Sequence, residues 1–134
     1  MAVSASYEIQ QAIFDRLTGD SAFIAVAGDV LDAPRESTFP YVVLGEDLET
    51  PWDVFGRDGA ECLVTLHIYS REPGFKQSKQ ILAEMVRALG DSPLSVDGFD
   101  LVHCWYNGSD SFREPDMKTR RIAVRFRVTT QKEA

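Results

Sequence analysis

The stretch Lys118-Thr-Arg-Arg-Ile-Ala-Val-Arg-Phe-Arg-Val-Thr-Thr130 decides how this chain folds. Ile122, Val124, Phe126 and Val128 alternate with Arg121, Ala123, Arg125, Arg127 and Thr129. Successive side chains of a strand point to opposite faces, so a period of two predicts a strand with one apolar and one cationic face. The apolar face must be covered, and the cationic face must meet water, carboxylates or another chain.

Working backwards, Glu61–Tyr69 has the same character. Cys62, Val64, Leu66 and Ile68 fall on one face, and Leu63, Thr65, His67 and Tyr69 on the other. Its β-branched and aromatic content suits a central strand. The cover comes from Phe75–Leu89, where Phe75, Ser78, Leu82, Met85, Val86 and Leu89 make one helical stripe and Gly90 is expected as the C′ residue. A second helix is expected over Ser6–Leu17, with Ile9, Ala12, Ile13 and Leu17 on one face, Ser4 or Ser6 as cap and Gly19 as stop. Asp20 caps a shorter helix that ends at Gly28.

The remaining segments are short. Asp29–Asp32 reads as extended, Pro34 and Pro40 bracket a turn-rich link, and Tyr41–Leu44 reads as a buried strand. Gly45–Gly59 follows no period and is expected to be a loop, carrying Trp52, Phe55 and five acids. Pro93–Val96, Asp97-Gly98 and Phe99–Tyr106 read as short strand, tight turn and longer strand, followed by a polar loop over Asn107–Pro115. The expected fold class is α+β: a mostly antiparallel β-sheet with two principal α-helices on one face and a further short helix near the N-terminus. The 134 residues are read as a single domain.

The formal net charge of −7 is unevenly spread. Residues 1–112 carry 7 basic and 18 acidic side chains, a balance of −11. Residues 113–134 carry 7 basic and 3 acidic, a balance of +4. The overall sign argues against a protein that coats DNA, which needs a cationic surface to release counterions. The asymmetry suits contact with a partner of opposite sign, and a solvated strand face explains it equally well. No apolar run is long enough to span a membrane, and residues 1–7 lack a secretory signal.

No enzyme motif is found. Cys62, His67, His103 and Cys104 add up to a zinc-like set, but each close pair falls on opposite strand faces and none has ligand spacing. Gly56-Arg57-Asp58-Gly59 precedes a strand and offers no helix N-terminus to an anion, so it reads as a hairpin-like turn. Asn107-Gly108 reads as a turn. Neither a cofactor nor a metal is expected. Base stacking by the arginine strand is unsupported, because Phe126 lies on the face opposite Arg125 and Arg127.

Several segments together carry a resemblance: Gln11–Asp20, Gly28–Pro34, Phe39–Gly45, His67-Ile-Tyr-Ser-Arg-Glu-Pro-Gly-Phe75 with Ile81–Leu89, and Thr119–Val128. The chain resembles the tail-completion, or tail-terminator, proteins of long-tailed phages and gene transfer agents. The resemblance implies a non-enzymatic structural virion protein at the head–tail junction, assembled in the host cytoplasm. It implies a ring, usually of six copies, that caps the tail tube, stops its growth and receives the head connector, with DNA passing through the lumen unbound. A head-side connector or stopper protein, or a non-viral interaction domain, are the alternatives.

Ring closure brings one patch against a different patch on the next copy. Arg121, Arg125 and Arg127 are the candidate subunit interface, with carboxylates of a neighbouring copy as partners. Trp52, Asp53 and Phe55 are the candidate contact loop for the tube protein or the connector. Glu46, Asp47 and Glu49 are candidate acids for a lumen that repels DNA.

Overall fold

The structure is a computed structural model that describes residues 2–32, 38–54 and 56–133. In chain order the elements are α1 (Ser6–Thr18), α2 (Ser21–Ala27), β1 (Asp29–Leu31), β2 (Tyr41–Pro51), β3 (Gly59–Ser70), α3 (Lys76–Gly90), β4 (Phe99–Arg113) and β5 (Arg120–Lys132). They form the α+β fold expected from the sequence. One five-stranded sheet runs β1-β2-β3-β5-β4, antiparallel except for the β1–β2 pair. No helix among the described residues is long and apolar enough to cross a membrane.

The two strands that decided the fold sit side by side in the middle of the sheet, paired from Gly59↔Gln131 to Ser70↔Arg120. Their apolar rows, Cys62, Val64, Leu66 and Ile68 with Ile122, Val124, Phe126 and Val128, are all buried on one face. The helices cover that face through Ile9, Ile13 and Leu17 of α1, Phe23 of α2, and Ile81, Met85 and Leu89 of α3. On α3 the buried face is rotated slightly from the expected stripe. Ile81 and Ala88 are fully buried, whereas Leu82 and Val86 are only partly so.

Asp20 caps α2 as expected, its Oδ1 accepting from Phe23 N at 2.9 Å, but other helix ends differ. Neither Ser4 nor Ser6 caps α1; Ala5 holds the cap position and its N–H donates to Glu49 Oε2 at 2.8 Å. A carboxylate from β2 thus supplies the acceptor that the local sequence does not. Gly90 is the last residue of α3, followed by Asp91 in right-handed conformation, so it is no C′ cap.

The expected loop over Asn107–Pro115 is largely strand, and about half of the one over Gly45–Gly59 is. β2 runs to Pro51 and β4 to Arg113, each outlasting its apolar run. Bulges between Leu44 and Asp47, and between Tyr106 and Ser109, break the alternation that would have revealed them. Asn107-Gly108 lies in the second bulge, with Gly108 at φ 104°, rather than in a turn. Pro93–Val96 forms no strand. It offers one bridge, Val96↔Phe99, across the Asp97-Gly98 turn, and buries Leu94 and Val96 in the core.

Candidate interaction surfaces

The sheet face opposite the helices has no covering layer among the described residues. The alternation in β3 and β5 places Leu63, Thr65, His67 and Tyr69 beside Arg127, Arg125, Ala123 and Arg121. The neighbouring strands add Leu48 opposite Leu63, and Trp105 and Phe112 opposite Arg127 and Arg121. Leu48 is 63% exposed and Trp105 56% exposed. An exposed row of this kind is the usual mark of a contact surface.

The three arginines of the candidate subunit interface all lie here, and each has a carboxylate of its own chain. Arg121 Nε meets Glu114 Oε1 at 2.6 Å, with Nη1 3.1 Å from His67 Nδ1 and the guanidinium over the Phe112 ring. Arg125 pairs with Asp110 at 2.9 Å, and Arg127 approaches Glu61 at 3.9 Å. Their cationic face is therefore largely neutralised within the chain. Partners along β4 and β3 were hidden in the sequence because register between distant strands is not written locally.

The candidate lumen acids separate in the structure. The β2 bulge turns Asp47 and Glu49 toward the helix side. There Asp47 accepts from the Ser6 hydroxyl, and Glu49 accepts from the Ser4 hydroxyl at 2.7 Å as well as from Ala5 N. Glu46 projects from the strand with its side chain 83% exposed and reaches His67 Nε2 at 3.2 Å. Its carboxyl is held below the usual range by its own backbone N–H and by His67.

Gly45 makes that contact possible. A Cβ there would stand 2.8 Å from the His67 ring and 2.9 Å from Thr65 O. We expect Gly45→Ala to push His67 off Glu46 and Arg121 and to cost about 1–3 kcal/mol, as overpacking does. Urea unfolding would measure the cost, and an unshifted His67 ring resonance would contradict it.

Two residues of the candidate contact loop, Trp52 and Asp53, lie just beyond the end of β2. Trp52 is half-buried and Asp53 accepts from Gly59 N at 3.0 Å; Phe55 lies outside the described residues. Val54 and Arg57 pair through backbone bonds of 3.1 and 3.0 Å, two positions before the turn expected at Gly56–Gly59. Arg57 then locks it to the far strands, reaching Asp100 Oδ2 at 2.7 Å and Lys132 O at 2.6 Å.

On the same open face His103 stacks on Trp105 at 3.8 Å, and its Nε2 meets the Thr129 hydroxyl at 2.8 Å. Burial, aided by the Arg127 charge, lowers the His103 pKa against the pull of Glu61. The unfolded chain thus binds the proton more readily, so His103 lowers stability as the pH falls below about 6.5. Comparing unfolding at pH 7.0 and 5.5 should show a smaller acid loss in His103→Gln than in the wild type. Equal losses would contradict the assignment.

The cysteines offer little nucleophilic character. Burial and the Glu49 charge push the Cys62 thiol up to about 12, and burial pushes Cys104 up to about 11. The two are free thiols. Among the described residues no group of three or more His, Cys, Asp or Glu side chains is placed to hold a metal ion.

Comparison with known proteins fits the fold to a known class. A curated relative, the tail completion protein gp17 of Bacillus phage SPP1, is 24% identical over 126 residues, covering 93% of each chain. A chain from the virion of a native gene transfer agent particle superposes with a TM-score of 0.86 at 22% identity, over 97% of this chain and 99% of that one. The solved SPP1 gp17 protein superposes with a TM-score of 0.66 at 21% identity, over 93% of this chain and 90% of that one. The model of the family described as tail completion protein gp17 matches residues 11–131, and the chain belongs to that family.

Proposed function

We propose that the protein closes the head-proximal end of a phage-like tail tube as a ring of identical copies, ending tube growth and receiving the head connector. Membership of the tail completion family carries this reading. The molecule also has the asymmetry a ring subunit needs. One sheet face is buried under three helices, while the other is open and carries Leu48, Trp105 and Phe112 beside the arginine row. Unlike surfaces on one subunit allow a heterologous contact that closes on itself.

Within this reading, Arg125 and Arg127 keep 36% and 43% of their side chains exposed and remain available to a neighbour alongside their own carboxylates. Glu46 is the acid best placed to line a lumen through which DNA slides, because Asp47 and Glu49 are occupied in fixing the start of α1. Asp53, held by Gly59 N, and Arg57, held by Asp100 and Lys132 O, present this end of the sheet to the tube protein or the connector. The reading is tested by electron microscopy of tails assembled without the protein. Overlong tubes that fail to join heads are expected, and tails of normal length would overturn it.

A further inference from the structure

Pairing along the strands leaves the charge unevenly matched at the two ends of the sheet. At one end lie the start of α3 and the β4–β5 hairpin tip. There Lys76, Lys79, Arg113, Lys118 and Arg120 have no carboxylate partner among the described residues, whereas Arg71 and Arg121 are paired with Asp116 and Glu114. Geometry ties the group together. Lys79 and Arg113 both approach the Phe75 ring, at 5.7 and 5.4 Å, and Arg120 pairs in register with Arg113. Arg120 Nε and Nη1 are shielded from solvent with no acceptor. The first turn of α3 carries no acid and no side-chain cap, so the helix dipole adds to the positive field there.

The opposite end is acidic. The β2–β3 turn, the Asp97-Gly98 turn and the end of β5 are joined by bonds from Lys132 N to Asp58 O and from Glu133 N to Gly98 O. Asp53, Asp58, Asp97, Asp100 and Glu133 meet there against Arg57 and Lys132. The 12 residues of β3 separate the ends by about 36 Å, several Debye lengths at physiological salt. The poles therefore cannot neutralise each other within one copy.

We propose that the cationic pole of one copy docks against the acidic pole of the next, so that charge polarity along the strand direction sets the order of subunits. This rests on the ring reading above and refines it: the five unmatched cations at the hairpin end, rather than the arginine row of the open face, supply the positive side of the contact. The chain's own far pole is the matching surface. A long polyanion such as DNA fits less well, because the rest of the molecule is strongly acidic.

The test uses two full-length variants with exposed substitutions. One is Arg113→Glu with Lys118→Glu, and the other is Asp97→Lys with Glu133→Lys. Particles assembled in cells supplying each variant would be treated with a zero-length carbodiimide and the linked peptides mapped. Wild-type particles should yield links between the hairpin tip and the Asp97 or Glu133 pole of another copy. Each variant alone should fail to terminate tails. Supplying both variants together should restore termination, because their reversed poles fit in alternation. Unchanged termination with either variant, links running to a different protein, or failure of the mixture to rescue would overturn the proposal. Overlong tails in the complete absence of the protein, seen beside normal tails with either variant, would leave the ring reading standing and remove only this interface.

Discussion

Replacing Arg16 with Met is expected to lower the unfolding free energy by about 3 kcal/mol, among the largest losses for any partly exposed side chain here. Arg16 projects from α1 across to the end of α3. Its Nη1 donates to Ala88 O and Ser92 O, and Nη2 to Pro93 O, each at 2.9 Å. Ala88 O belongs to the last turn of α3, whose orphan carbonyls concentrate negative partial charge. One guanidinium thus caps α3, fixes the turn that leads into β4, and fastens α1 to both. Met keeps much of the aliphatic stem, so the loss isolates the donors. A chain of this size should melt roughly 10 °C lower. A shift of less than about 3 °C would mean that water replaces the guanidinium without cost.

Arg16 also marks where the sequence stopped being legible. The apolar periods of α1, β3, α3 and β5 are local patterns, and each element formed where its pattern predicted. The packing of the helices on one sheet face followed from those patterns, because only one face of each central strand is apolar. A charged residue that bonds carbonyls more than 70 positions away leaves no local trace. The same holds for Glu49, which caps α1 from β2, and for Arg57, which pins its own turn to Asp100 and Lys132.

The extended ends of β2 and β4 were missed for another reason. Beyond Leu44 and Tyr106 both strands leave the core, so burial no longer imposes alternation, and a bulge shifts the phase of what remains. Reading Phe99–Arg113 in two phases, before and after Asn107-Gly108, would have exposed the strand. The arginine row was legible as a row, but its neutralisation was not. Asp110 and Glu114 lie in a segment read as loop, and a loop predicts no cross-strand partner. The unmatched cations at the hairpin tip became visible only once the matched ones were set aside.

The second large effect is expected from Phe23→Ala, at about 4 kcal/mol. Phe23 is fully buried and belongs to α2, which has only seven residues. A helix so short has no stability of its own and persists through packing. Two polar contacts help: Asp20 caps the helix and its carboxylate also pairs with Arg87 of α3 at 2.8 Å. Arg87 and the Phe23 N–H both hold the Asp20 carboxyl below its ordinary range.

The exposed side of that ion pair limits its worth, so the aromatic ring must supply most of the anchoring. Removing the ring has two possible consequences, and they differ measurably. If α2 stays docked over a cavity, unfolding remains two-state with an unchanged urea slope and the full loss of about 4 kcal/mol. If α2 instead peels away, its amides exchange early while the sheet stays protected, and the urea slope falls with the area already exposed. The second outcome would reach further, because α2 leads through Gly28 directly into β1. A Cβ at Gly28 would stand 2.7 Å from Pro40 O, so that junction is tight, and loosening it would free the β1 edge from Tyr41–Val43. A loss below about 1.5 kcal/mol with native exchange in α2 would show that Asp20 and Arg87, not Phe23, hold this corner of the fold.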